Sequence, residues 1–168
     1  MVGLQGSGKS TWVAEHLAAT HVVVSKDHWP RARHREARQR RVVAGLLSEG
    51  RAVVVDNTNP SPDERAPLVE LAREAGVPVR AVFVDTPLEV CRARNDARSD
   101  DTRVPLVGLY SAAGRLVPPD TAEGFLAVQV VGQAAGPEEE RGKGTEAVVM
   151  PEGSRAQTCL RPLSLHQP

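Results

Sequence analysis

Near the start of the chain, Gly3-Leu4-Gln5-Gly6-Ser7-Gly8-Lys9-Ser10 follows the pattern G-x-x-x-x-G-K-[ST] without deviation. Glycines at these spacings let the backbone curl into a concavity of N–H donors, and a helix starting there adds the positive end of its dipole. Such a nest holds phosphate. Lys9 would reach the β- and γ-phosphates of a nucleoside triphosphate, and the Ser10 hydroxyl would ligate Mg²⁺. Gly3, Gly6, Ser7, Gly8, Lys9, Ser10 and Thr11 are therefore the expected nucleotide-binding set, with ATP and Mg²⁺ as the expected cofactors. A mere glycine turn is the bland alternative.

Carboxylates fall where they could complete a phosphoryl-transfer site. Asp27 follows the apolar run Val22-Val23-Val24 and would stand at the carboxyl end of a strand, where open α/β sheets bind ligands. There it could take the proton of an attacking hydroxyl, or it could only cap the next helix. Asp56 closes Val53-Val54-Val55 in the same way. It reads as a metal-holding carboxylate, while the following Asn57-Thr58-Asn59 suits a turn equally well. Asp85, just before Thr86-Pro87, reads as a helix N-cap. Arg92, Arg94, Arg98 and Arg103 sit on a helix and the polar loop after it. Arg94 and Arg98, four apart, share a helix face. Lid arginines of this kind offset the charge on a transferring phosphoryl group. The competing reading pairs them with Asp96, Asp100 and Asp101 at the surface. Trp12 is expected in the core, and Trp29 is expected to pack beside Asp27.

Strands alternating with helices must position these groups. The pattern predicts a parallel sheet flanked by helices, an α/β fold of the P-loop kinase type. Helices are expected over 9–19, 33–49, 62–75, 87–97 and 105–116. Strands are expected over 21–24, 52–55, 79–84 and 127–131. Only Met1 and Val2 precede Gly3, although a glycine loop of this type normally follows a full buried strand. A first strand cut short, with the natural start upstream, is the expectation. From Gly132 onward the chain turns rich in Gly, Ala, Glu and Pro and holds no aromatic residue. A kinase domain over 1–131 and a disordered tail over 132–168 follow.

Composition narrows the class. The chain has 168 residues, enough for one domain, and 40% of them are hydrophobic. It has no apolar run of membrane-spanning length and no secretory pattern. Its two cysteines, Cys91 and Cys159, exclude a disulfide framework and a four-cysteine zinc site. A cytoplasmic or nuclear setting is expected. Positive and negative charges balance at 21 each, yet six arginines crowd between Arg31 and Arg41 against one Glu36. Arginine grips planar anions, so the cluster suits a phosphate-rich partner; a solvated helix face is the other reading.

GLQGSGKST, VSKD, VVDNTN, RARNDAR and TAEGF occur in this order over residues 1–131, and together they resemble the polynucleotide 5′-hydroxyl kinases. The resemblance extends to bacterial ATP-binding proteins with the same motifs. It implies that Asp27 activates the 5′-hydroxyl, that Lys9 and Ser10 bind triphosphate and metal, and that Arg94 and Arg98 contact donor phosphates. Asp56 and Asn57 would shape the floor of the site. Two departures stand out. Pro30 occupies the position where phage-type enzymes carry an arginine that grips the acceptor phosphate. No Asp-x-Asp-Gly-Thr motif is present, so 3′-phosphatase activity has no support. The implied reaction is ATP-dependent phosphorylation of a 5′-hydroxyl of DNA or RNA, with Lys9, Asp27 and Arg98 catalytic and Ser10 and Asp56 at the metal. The partner is then a nucleic-acid 5′ end, with no membrane involved. A sugar or nucleoside kinase and an inactive ATP-binding regulator are the alternatives.

Overall fold

A computed structural model describes residues 1–132. The segment 133–168, where the tail was expected, lies outside the described residues. After the glycine loop come α1 (Lys9–His16), β1 (Val22–Val24), α2 (Arg35–Ser48) and β2 (Val53–Val55). Then follow α3 (Pro62–Glu74), β3 (Arg80–Asp85), α4 (Leu88–Asp96), α5 (Leu106–Arg115) and β4 (Ala127–Gly132).

All strand pairs are parallel, so every connection between paired strands crosses over through helix. β1 pairs with β2 in the register Val22↔Val53 to Val24↔Val55, and β3 with β4 from Arg80↔Ala127 to Asp85↔Gly132. Met1-Val2 runs between the two ladders. Val2 donates to Val82 O at 2.8 Å and accepts from Val84 N at 2.9 Å, while the Met1 ammonium donates to Val55 O at 2.9 Å. The expected parallel sheet is present as two ladders joined through this short segment, because two residues make a single bridge, Val2↔Phe83. Val2 is 2% exposed, which is the burial of a central position.

Helix ends follow local chemistry. Ser61 caps α3, its hydroxyl accepting from Glu64 N, with Pro62 in the first turn and Gly76 at φ +66° closing it. α2 starts two residues later than its sequence pattern suggests, because His34 takes a left-handed φ of 54° ahead of it. Asp85 does not cap α4. Its backbone is committed to the ladder opposite Gly132, and the helix opens after Pro87 without a side-chain cap. Beneath the glycine loop, Leu4, Cys91, Leu109 and Ala112 form a buried cluster against Leu88 and Leu116. Burying a leucine contributes about 1.5–3 kcal/mol, so α4 and α5 anchor the loop through Leu4.

A second anchor is polar. Arg65, 2% exposed, forks onto Glu123 at 2.7 and 2.6 Å and donates to the carbonyls of Asn59, Pro60 and Val117. Glu123 closes a capping box with Asp120, so the Thr121–Phe125 stretch is tied to the loop after β2. The Arg65 hydrogen bond holds the Glu123 carboxyl below its ordinary range. No helix among the described residues is long and apolar enough to cross a membrane.

Candidate functional site

The glycine loop takes the conformation that only glycine accommodates. Gly6 has φ +81°, and a Cβ placed there would lie 2.5 Å from the Cys91 carbonyl oxygen. Gly3, at φ +144°, approaches Val84 O in the same way. The loop therefore rests directly on α4 and β3. Thr86 Oγ1 donates to Ser7 O at 3.0 Å, and Arg94 Nη1 lies 3.4 Å from both Gly6 O and Ser7 O. The Ser7 hydroxyl is buried with no protein partner.

Lys9 is 8% exposed and donates to Leu4 O at 2.6 Å, curled back over its own loop. Burial lowers its pKa to about 8, against an upward pull from Asp56. Its neighbour Ser10 donates to Asp56 Oδ2 at 2.6 Å. The two residues expected at a metal are thus in direct contact, although 46 positions apart.

Two clefts open beside the loop and the first turns of α1. One, of about 590 Å³, is lined by Gly6, Ser7, Gly8, Thr11, Arg94 and Arg98, among others. The other, of about 320 Å³, is lined by Ser10, Asp56, Asp27 and His28 over a floor that includes Val13, Ala14 and Val23. No lysine or arginine is among the residues lining the second. The structure therefore brings Gly6, Ser7, Gly8, Thr11, Arg94 and Arg98 to one cleft, and Asp27, Asp56 and Ser10 to the other. Gly3 stands apart at the base of the loop. Asp27 lies in a short 3₁₀ turn, Lys26–His28, whose Ser25 cap accepts from the Asp27 amide at 3.3 Å.

The four arginines of the α4 region divide. Arg92 pairs with Asp96 at 3.8 Å and Arg103 with Asp100 at 3.3 Å, as surface arginines would. Arg94 and Arg98 face the larger cleft. Trp12 is not core: it is half-buried on the same cleft, stacked on His16 with ring centroids 4.5 Å apart. Its place two residues after Ser10 was the available signal. Trp29 is half-buried, with Arg38 5.0 Å from its ring centroid. Asn57, Thr58 and Asn59 are more than turn formers. Asn57 Oδ1 accepts from Lys26 N at 3.0 Å, Thr58 O from Gly3 N at 3.0 Å, and Asn59 Nδ2 donates to Met1 O at 2.9 Å.

A triphosphate suits the loop: Gly8, at φ +101°, turns the backbone directly into α1, and the buried Ser7 hydroxyl has no protein partner. Among the described residues no three His, Cys, Asp or Glu side chains gather to hold a metal. Ser10 and Asp56 offer two hard oxygens, which suits Mg²⁺ completing its shell with phosphate and water.

The fold and this loop define a P-loop kinase-type α/β protein. The chain belongs to the AAA domain family, whose profile matches residues 1–109. A bifunctional polynucleotide phosphatase/kinase of Schizosaccharomyces pombe is 27% identical over 136 residues, covering 78% of this chain and 32% of that protein. A putative bifunctional polynucleotide phosphatase/kinase of Acanthamoeba polyphaga mimivirus is 33% identical over 100 residues, covering 58% of this chain and 23% of that protein. The chain thus spans a third or less of the length of these relatives. Among solved structures, Chaetomium thermophilum Kti12 has a TM-score of 0.56 at 18% identity, covering 79% of this chain and 87% of that one. A sugar kinase from Janibacter has a TM-score of 0.56 at 20% identity, covering 78% and 82%. These likenesses show the fold.

Proposed function

We propose that residues 1–131 form an ATP-dependent kinase acting on the 5′-hydroxyl end of DNA or RNA. The observation that carries this reading is the pair of clefts at the start of α1, one lined by the glycine loop with Arg94 and Arg98, the other by Asp27 with the hydrogen-bonded Ser10 and Asp56. Donor and acceptor need opposite surroundings, and the two clefts differ in this way: arginines line one, and carboxylates with the Ser10 hydroxyl line the other. The names of the polynucleotide phosphatase/kinase relatives and the exposed Arg31–Arg41 cluster support a nucleic-acid acceptor.

In this reading the glycine loop binds the triphosphate through backbone N–H groups. Asp27 accepts the hydroxyl proton as the 5′-oxygen bonds to the γ-phosphorus and the bond to the β-phosphate oxygen breaks, releasing ADP. Lys9 and Arg98 stabilise charge on the transferring group, and Arg94 keeps the loop carbonyls of Gly6 and Ser7 in place. Mg²⁺ held by Ser10 and Asp56 would draw charge from the phosphate oxygens.

Labelled-phosphate transfer from ATP to 5′-hydroxyl oligonucleotides, run beside a panel of sugars and nucleosides, tests the reading. The expected result is labelled oligonucleotide, abolished by Asp27→Asn with ATP binding retained. Transfer to a panel member alone would establish a small-molecule kinase, which the lack of lysine or arginine around the acceptor cleft also allows. Equal turnover in Asp27→Asn would remove Asp27 as the base.

A further inference from the structure

Four consecutive residues after β2 each bind a different part of the site. Asp56 takes the Ser10 hydroxyl, Asn57 the Lys26 amide, Thr58 the Gly3 amide, and Asn59 the Met1 carbonyl. Arg65 grips this segment from beneath through the Asn59 and Pro60 carbonyls. The segment is therefore a strut between the phosphate loop and the turn that carries Asp27. Only Asn57 reaches that turn. It is 9% exposed, its Oδ1 is fixed on the Lys26 amide, and its Nδ2 is buried with no protein partner. Lys26 immediately precedes Asp27, whose own amide is held by Ser25 Oγ.

We infer that Asn57 is a positioning residue that sets where Asp27 stands relative to the phosphate loop, acting through the Lys26 amide. The inference rests on the reading of Asp27 as the acceptor base. Asn57 is not among the residues lining the glycine-loop cleft, so a side chain in this role gives nothing to nucleotide binding there. It matters for transfer, because a base displaced by about 1 Å costs on the order of 100-fold in rate. Its loss should therefore appear in kcat and leave the KM for ATP alone.

Two variants break the link from opposite ends. Asn57→Leu removes the acceptor. Lys26→Pro removes the donor without touching the buried asparagine; it suits the first position of a helical turn, after a Ser25 that is already extended (φ −131°, ψ 144°). Lys26→Ala, which loses only the side-chain pair with Glu36, is the reference for it. The expected result is a fall in kcat for oligonucleotide phosphorylation of about 30- to 100-fold in Asn57→Leu, and in Lys26→Pro relative to Lys26→Ala, with the KM for ATP within about 3-fold. Lys26→Pro matching Lys26→Ala would overturn the inference. Amide exchange followed by NMR gives a readout that needs no acceptor. The Lys26 amide should exchange at least about 10-fold faster in Asn57→Leu and regain protection in Asn57→Asp, which keeps an oxygen acceptor. Unchanged protection in Asn57→Leu would overturn the inference whatever the substrate proves to be. Parent chain that labels no oligonucleotide, with Lys26 protection still dependent on Asn57, would instead refute the polynucleotide acceptor and keep the strut.

Discussion

The depressed pKa of Lys9 should make nucleotide binding pH-dependent in a range where an ordinary lysine is silent. Burial lowers its pKa to about 8, and its ammonium donates to the Leu4 carbonyl. A triphosphate at the loop favours the ammonium form, so binding takes up a proton wherever the free site has lost it. With a free-site pKa of about 8, roughly nine-tenths of the protein carries the proton at pH 7 and one-tenth at pH 9. If only that form binds tightly, affinity falls about 10-fold between these pH values, equivalent to about 1.4 kcal/mol. The sign is fixed: a base depressed in the free protein binds an anion best at low pH and loses affinity as pH rises through its pKa. A lysine at 10.5 would give a flat line over the same range. Calorimetry with Mg-ATP at pH 7, 8 and 9, in two buffers of different ionisation enthalpy, measures both affinity and proton uptake. Uptake should approach one proton at pH 9, and Lys9→Met should abolish the slope. Constant affinity from pH 7 to 9 without proton uptake would refute the reasoning.

Gly6→Ala forces a Cβ to 2.5 Å from the Cys91 carbonyl in a left-handed backbone. It should lower the melting temperature, with strain of about 1–3 kcal/mol before the clash is counted, and abolish Mg-ATP stabilisation; an unchanged melt would contradict the packing. Arg65→Met leaves Glu123 without its partner and should cost about 3–5 kcal/mol in urea unfolding at pH 7. Because Glu123 is held below its ordinary range, the pair's contribution is present above that range and lost as pH falls through the depressed value, so the gap between parent and variant should narrow in acid to what the Asn59, Pro60 and Val117 carbonyl bonds contribute. Replacing Arg33, Arg35 and Arg38 by Gln should raise the oligonucleotide KM and flatten its logarithmic salt slope by about 0.9 for each phosphate no longer neutralised, with the KM for ATP unchanged; an unaltered slope would place these side chains on an idle surface.

How much of this was legible in the sequence depended on the range of each interaction. The glycine loop, the carboxylates Asp27 and Asp56 after their apolar runs and the span of α3 are local patterns, and the structure places them close to where the pattern does. Pairings between distant segments were not readable. Arg65 meets Glu123 across 58 residues, and nothing in either neighbourhood names the other; Ser10 and Asp56, 46 apart, were linked in the sequence only through a shared metal, not through the direct hydrogen bond they make. Asp85 misled because an Asp before Thr-Pro suits a helix cap equally well, and only the ladder with β4 shows its backbone to be committed elsewhere. Trp12 misled because a large apolar side chain on an early helix suggests core; here the space beside the loop is left for a cleft, and the ring stacks on His16 at its edge.

The division of charge between the clefts constrains how an acceptor enters, on the polynucleotide reading. Asp27 and Asp56 line the smaller cleft and no lysine or arginine does, so an anionic acceptor group inside it would meet two carboxylates, offset only by the neighbouring Lys9 ammonium and by a metal held at Asp56. A 5′-hydroxyl terminus avoids this conflict, because it is neutral up to the first internucleotide phosphate and anionic only beyond. That phosphate needs cations outside the cleft. The exposed arginines from Arg31 to Arg41 begin four residues after Asp27, and Arg38 lies over Trp29, two residues after it. A neutral polyol would fill the same acidic cleft but make no use of these arginines. The discriminating feature is thus the surface beyond the site, where salt should weaken a polynucleotide acceptor and leave a small neutral one unaffected.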